Sequence, residues 1–477
     1  MSLSHSLRVA TLFAIAAHLQ LVTATELALD HATLGQLSKL TRGEKFAVDA
    51  FPVGATRVAP VRFERVEIYS SDAHLYQMTA NGPREVPHSA RIFLRGYSDD
   101  GSARVAMSLN PDASFAEGNG SGPDGTFVLR ARADASGHST LSAESLQSSL
   151  PHDFKYDMRC GNEGRAMELP ALDDLARRIG GDQTSATSAT DAASHALRFA
   201  TVAVDTDNPF MLKLFNNNTT SATNWIASMF NIMNTMYERD LLVRLYVGTS
   251  YYQTAATDPY TSMKSADTDP NPMKDNLDIF SLYWKNNHPA GSPTRAFAIL
   301  LSGLLPSTQN SCSASGIAWV NLYCKTGTTS SGHTSGSYSV NQVCTSTNAF
   351  FGPPFSALLV GHELGHNFGA NHTHCTDVTT GASLVATNTI DSCYNGEGAA
   401  FGGTCYNGSE SCPASGPGAP AGTIMSYCNV DLGCGPDQQN VLQFHPTHVT
   451  KVLLPDISAA PAGCLNTTDD IFFSGFE

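Results

Sequence analysis

The spacing of apolar positions changes character along the chain. Residues 61–69, 90–94, 103–109 and 126–133 form strand-type runs, separated by turn signals such as Asp99-Asp100-Gly101 and the segment 117–125. After a short helix-like stretch at 171–179, residues 180–196 are rich in Gly, Ser, Thr, Ala and Asp; with no apolar face to bury, they predict a mobile, protease-sensitive linker over 181–197. From Arg198 onward, strands alternate with helices. Strands are expected at 199–204, 241–247, 296–301, 316–322 and 338–343. Ala222, Trp225, Ile226, Met229, Met233 and Met236 recur at helical spacing behind a cap at Thr219 or Thr220, and 277–284 is a second helix. The pattern predicts an α/β domain with a mixed sheet of about five strands, an active-site helix at 354–368 and a C-terminal helix at 445–454 carrying His445 and His448 on its surface, preceded by an all-β unit. The segment 393–422, dense in Gly, Pro, Ser and Cys, is expected to be a loop held by disulfides.

The N-terminus adds a targeting segment. A polar start with one charge at Arg8, an apolar run over 9–22 broken by His18 and Gln20, and Val22-Thr23-Ala24 as a cleavage site read as a signal peptide over 1–24. No later segment is apolar enough to span a bilayer, so a secreted protein that leaves the membrane after cleavage is expected. At 477 residues the chain is long for one core. Forty-three acidic against 28 basic residues give a net charge of -15, which argues against a nucleic-acid partner. Of the 11 cysteines, ten lie from Cys312 onward and Cys160 stands apart from them. In an exported chain most should be oxidised.

Within 354–368, His362 and His366 are four residues apart, so one helix face presents both imidazoles to the same cation. Gly369 ends that helix in a conformation glycine adopts without steric cost, and the turned chain brings His372 in as a third ligand. Three protein ligands leave a position open, which marks a catalytic rather than a structural zinc. Glu363, beside the first ligand, is placed to act on a water as general base and to pass its proton to a leaving amine, which points to hydrolysis of peptide bonds.

The run from His362 to His372 resembles the extended zinc motif of the metzincin metallopeptidases, and Thr423-Ile424-Met425-Ser426-Tyr427-Cys428 is similar to their methionine turn, which implies Met425 as an apolar floor under the ligands. Gly316, Ile317, Ala318 and Trp319, followed by Val320 and Cys324, resemble the strand that in adamalysin or reprolysin-like enzymes pairs with substrate; an ordinary core strand is the alternative. The resemblance covers about 198–465 and also implies a Cys324–Cys464 disulfide. Two positions depart from it. Thr373 stands where many adamalysin-like enzymes carry Asp, and Tyr427 matches the tyrosine that astacins and serralysins use as a switchable ligand and transition-state donor, or else it packs under the turn. His374 misses the motif position and is expected beside the ligands or at the surface.

A thiolate is a good fourth ligand for zinc. Arg159-Cys160-Gly161 resembles the cysteine switch of zymogen metzincins, which implies that residues 25–180 are an inhibitory propeptide; a disulfide within or between molecules is the alternative. Removing that unit leaves ten cysteines, enough for five pairs. The expected protein is a monomer with one catalytic zinc, acting on extended protein or peptide substrates and bound by its own propeptide. A structural calcium ion has no residue pattern behind it. The tail over 466–477 reads equally as a processing signal or a frayed end. Two rivals are a zinc-stabilised binding or adhesion protein without turnover, which retention of Glu363 opposes, and a zinc amidase acting on cell-wall amides.

Overall fold

The structure is a computed structural model. It describes residues 28–122, 125–133, 139–145, 155–160, 197–266, 272–289, 292–307, 311–346, 352–397, 404–413, 422–428 and 442–465. The expected signal peptide, the helix-like stretch at 171–179, the linker up to residue 196 and the tail at 466–477 lie outside these residues.

The N-terminal region carries a short helix, α1 (His31–Leu37), capped by the Asp30 side chain, which accepts from the Thr33 amide at 2.7 Å. Its strands are β1 (Ala28–Leu29), β2 (Lys45–Pro52), β3 (Val58–Val66), β4 (Leu75–Thr79), β5 (Gly82–Val86), β6 (Ile92–Ser98), β7 (Arg104–Leu109), β8 (Ala116–Gly122), β9 (Gly125–Ala133), β10 (Ser139–Ser145) and β11 (Lys155–Cys160). Eight of them form one antiparallel sheet in the order β1-β10-β9-β8-β7-β6-β3-β2, closed over Leu34, Phe51, Phe63, Leu94, Met107 and Phe127. The segment 117–125, expected as a turn, is mostly strand β8. Gly118 serves close packing rather than chain reversal, since a Cβ there would lie 2.1 Å from the Ala106 carbonyl oxygen, and the reversal falls at the far end, where Gly122 pairs with Gly125.

The catalytic segment contributes β12 (Arg198–Thr206), β13 (Val243–Gln253), β14 (Phe297–Ser302), β15 (Ser311–Ala318), the small hairpin β16 (Thr328–Ser330) and β17 (His333–Ser335), and β18 (Tyr338–Gln342). Its helices are α2 (Asn208–Phe215), α3 (Thr219–Leu241), α4 (Pro272–Asn287) and α5 (Pro353–Phe368). A last turn of π type, His448–Leu453, runs into α6 (Leu454–Ser458). Five of these strands sit in a mixed sheet, but the sheet does not end with them. Its order is β11-β15-β18-β14-β12-β13-β4-β5, so strands from the N-terminal region extend it at both edges.

Helix α3 starts from Asn218, whose side chain accepts from the Ser221 amide at 3.0 Å, one residue before the threonines expected to cap it. Ile226, Met229, Met233 and Met236 face the catalytic core, and each such fully buried side chain contributes about 1.5–3 kcal/mol. Its other faces are covered as well, by β6, β7 and β8. His448 is fully buried, with Nε2 3.1 Å from the Thr376 hydroxyl, because the C-terminal turn packs its first residue inward; it is not the surface residue the periodicity predicts. Cys324 and Cys464 are joined, as the resemblance implies. Cys375–Cys405 and Cys393–Cys428 staple the 393–422 loop to the segments on either side. No helix among the described residues is long and apolar enough to cross a membrane.

Candidate metal centre

Helix α5 opens on Gly352 with Pro353 and Pro354 in its first turn, where the missing amide hydrogens cost nothing, and closes on Gly369 at φ 118°. Gly369 folds the chain back so that the Ala370 carbonyl accepts from His366 Nδ1 at 2.7 Å. The spacing of the motif therefore becomes a convergence. His372 Nε2 lies 3.2 Å from His362 Nε2 and 3.1 Å from His366 Nε2. Three nitrogens about 2.0–2.1 Å from a tetrahedral ion would stand about 3.3 Å apart, so the donor set fits one zinc ion.

Each imidazole is held from behind. His362 Nδ1 donates to the Ile424 carbonyl at 2.7 Å, and His372 Nδ1 to Glu397 Oε1 at 2.7 Å. With Nδ1 protonated, each Nε2 keeps its lone pair for the cluster. Burial, and then the neighbouring imidazoles, push His362 down to about 3 and His366 well below the ordinary histidine value, so both are neutral and ready to ligate.

Glu363 is fully buried, and burial pushes its carboxyl well above the ordinary value. Among the described residues its Oε1 is buried without a hydrogen-bond partner, while Oε2 faces the Cys160 thiol at 3.8 Å. Gly316 in β15 makes that position available, since a Cβ there would lie 2.2 Å from Glu363 Oε1. Beneath the helix, Met425 is fully buried, and a Cβ at Gly365 would lie 2.7 Å from its sulfur. A glycine inside a helix costs about 1 kcal/mol relative to alanine, and here the small residue is what admits the methionine. Thr373 holds the same turn, its amide donating to the Met425 carbonyl at 3.1 Å and its hydroxyl at 3.3 Å.

Cys160, 2 % exposed, retains its thiol and reaches the cluster from the end of β11. Its Sγ lies 3.6 Å from His366 Nε2 and 3.8 Å from Glu363 Oε2, and its amide donates to the Tyr427 hydroxyl at 2.8 Å. Cys160, His362, His366 and His372 present four donor atoms within 4.8 Å of one another. Strand β11 runs parallel to β15, pairing Cys160 with Gly316, so β15 is the edge of the catalytic segment's own strands and the N-terminal region covers it. Gly316, Ile317 and Ala318 lie in β15. Trp319 lies one residue beyond, with its ring in the core and its Nε1 donating to Ser281 at 3.3 Å.

Glu397 was not legible in the sequence. It lies in the Gly- and Cys-rich loop, is 2 % exposed, and bridges His372 and His374, with His374 Nε2 2.9 Å from Oε2. Burial works to raise its carboxyl, yet the two imidazoles hold it well below the usual carboxylate range. The one available signal was an acidic residue in a stretch otherwise almost uncharged. A carboxylate that orients a ligating histidine typically adds 10–100-fold in metal affinity, so Glu397→Gln is expected to lose zinc to a competing chelator about 10–100-fold more readily. Equilibrium competition measured on the folded variant checks this; an unchanged affinity would mean that the carboxylate does not orient His372.

Residues 196–442, more than half of the chain, match the family model described as Metallo-peptidase family M12. No curated protein matches the chain.

Proposed function

We propose that this chain, which belongs to Metallo-peptidase family M12 and is a zinc metalloendopeptidase, is made as a latent zymogen that its own N-terminal region keeps silent. The observation that carries this reading is the position of Cys160 Sγ, 3.6 Å from His366 Nε2 and 3.8 Å from Glu363 Oε2. A water serving Glu363 would need that same space.

His362, His366 and His372 would hold the metal through Nε2. Bound there, zinc supplies a Lewis acid that polarises a peptide carbonyl and lowers the pKa of water towards about 7. Glu363 takes the proton from the attacking water on its buried carboxylate and hands it to the leaving amine. Tyr427, whose hydroxyl now accepts from the Cys160 amide, turns to the substrate once that amide leaves and donates to the oxygen on which charge develops. Met425 supports the ligands from below. With β11 gone, β15 offers unpaired backbone groups at Gly316–Ala318 to a substrate in extended conformation.

In this reading residues 1–24 direct secretion, 25–180 are the propeptide, 181–197 the segment cut on activation, 198–465 the peptidase and 466–477 a short tail. Cys160→Ala tests it directly. The uncut wild-type chain is expected to be silent towards a casein-type substrate and the uncut variant active, with equal zinc contents. A variant as silent as wild type sinks the cysteine switch.

A further inference from the structure

The N-terminal region touches the catalytic segment in two separate places, and the larger contact lies on the face of helix α3 turned away from the helix that carries His362 and His366. We propose that this second contact, on helix α3 and the β13 edge, is the anchor of the N-terminal region, so that cutting the chain between Cys160 and Arg198 leaves a non-covalent complex. That the retained complex is also silent rests on the latency reading; that it is retained does not.

Helix α3 carries opposed faces. One is apolar and enters the catalytic core through Ile226, Met229, Met233 and Met236. The other is a polar stripe of Asn224, Ser228, Asn231 and Glu238, spaced by four, three and seven residues, and every member is engaged by the N-terminal region. Ser89 donates to Asn224 at 2.6 Å and Arg91 to Ser228 at 3.0 Å. Arg95, 2 % exposed, donates to Asn231 and, at 3.5 Å, to Glu238. The Asn231 amide donates in turn to the Met107 carbonyl at 3.0 Å. Beside this stripe, β4 lies parallel to β13 from Ser250↔Leu75 to Gln253↔Met78, and Tyr76 stacks on Tyr251 at 5.7 Å. Ile68, Leu75 and Phe93 join the catalytic core there.

Permanent interfaces resemble a core cut in half and are strongly apolar, whereas separable ones are more polar. A face built from Asn, Ser and Glu remains compatible with water once it is uncovered, so the stripe has the composition of a contact made to be broken. The apolar residues beside it hold the region on, and the buried Arg95 fixes its register. While the anchor lasts, β11 is tethered beside the cleft, where an effective concentration on the order of millimolar returns Cys160 to the cluster after each excursion. Release of the anchor, rather than the cut, then sets the rate of activation.

The test uses the full chain with a specific protease site placed within 181–197, cut after purification and followed by size-exclusion chromatography and peptide hydrolysis. The two fragments are expected to co-elute at micromolar concentration. Arg95→Ala and Asn231→Ala, which remove one contact from opposite sides, are each expected to weaken association by about 10²-fold or more, with strongly non-additive effects when combined. Melting of the uncut variants reports folding, and because the pair probes one contact from two segments, misfolding of either leaves the other decisive. Cut Cys160→Ala is expected to remain associated and to be active. Separation of the wild-type fragments on cutting, or separation caused by Cys160→Ala alone, would overturn the anchor while leaving latency standing. Co-elution of fully active wild-type fragments would support the anchor and sink the latency reading.

Discussion

Glu363→Gln is expected to lower peptide hydrolysis by about 10²–10⁴-fold, the range that a positioned general base supplies, while leaving zinc bound. The substitution keeps the size of the side chain and removes its ability to take a proton. Nothing that holds the ligands runs through Glu363, since the Nδ1 atoms of His362, His366 and His372 are fixed by Ile424, Ala370 and Glu397. The loss should therefore fall on kcat, with KM little changed and zinc content equal to wild type. Measured in a Cys160→Ala background, where latency does not mask the rate, a variant that still hydrolyses peptides at the parental rate would remove Glu363 from the mechanism. Loss of zinc from the variant would instead make it part of the metal site.

Gly316→Ala is expected to cost about 10²-fold in kcat, although the residue carries no chemistry. A Cβ at this position would stand 2.2 Å from Glu363 Oε1 and 2.6 Å from its Cδ, contacts that no side chain tolerates. Either the carboxyl swings away or β15 withdraws from α5, and a misplacement of about 1 Å of a catalytic group costs on this order. The same strand residue pairs with Cys160, so the uncut chain carrying Gly316→Ala should also leak activity if β15 rather than Glu363 gives way. Steady-state kinetics at matched zinc content separates these outcomes, and parental kcat in a folded variant would show that Glu363 has room to spare.

The parts of the centre that could be read from the chain are those fixed by short-range geometry. Residues four apart on a helix share a face, and Gly369, three positions before His372, is where the helix must stop for the chain to return. The same applies to the sheet. The five catalytic strands were visible as buried runs, with offsets of a few residues, most clearly at β15, which begins at Ser311 rather than 316. A strand end depends on what pairs with it, and β15 is prolonged by β11 from the far side of the chain.

What the local pattern could not carry is the set of contacts that join distant segments. Glu397 reaches His372 across a loop whose course is set by Cys375–Cys405, and Gly316 meets Glu363 only because β15 lies over α5. The N-terminal region read as a separate all-β unit because its strand-type runs, separated by turn signals, carry no sign of where they pair. Nothing in the alternation of β4 or β11 shows that their partners are β13 and β15 rather than each other's neighbours. The sequence alone therefore marked the three histidines and the glutamate proposed here as ligands and base, and with them the class of reaction, because their spacing obeys the pitch of one helix and one turn. Only the tertiary structure decided what orients the third histidine, what leaves room for the base, and which part of the chain lies in the cleft, because those depend on closing loops between segments that carry no mark of each other.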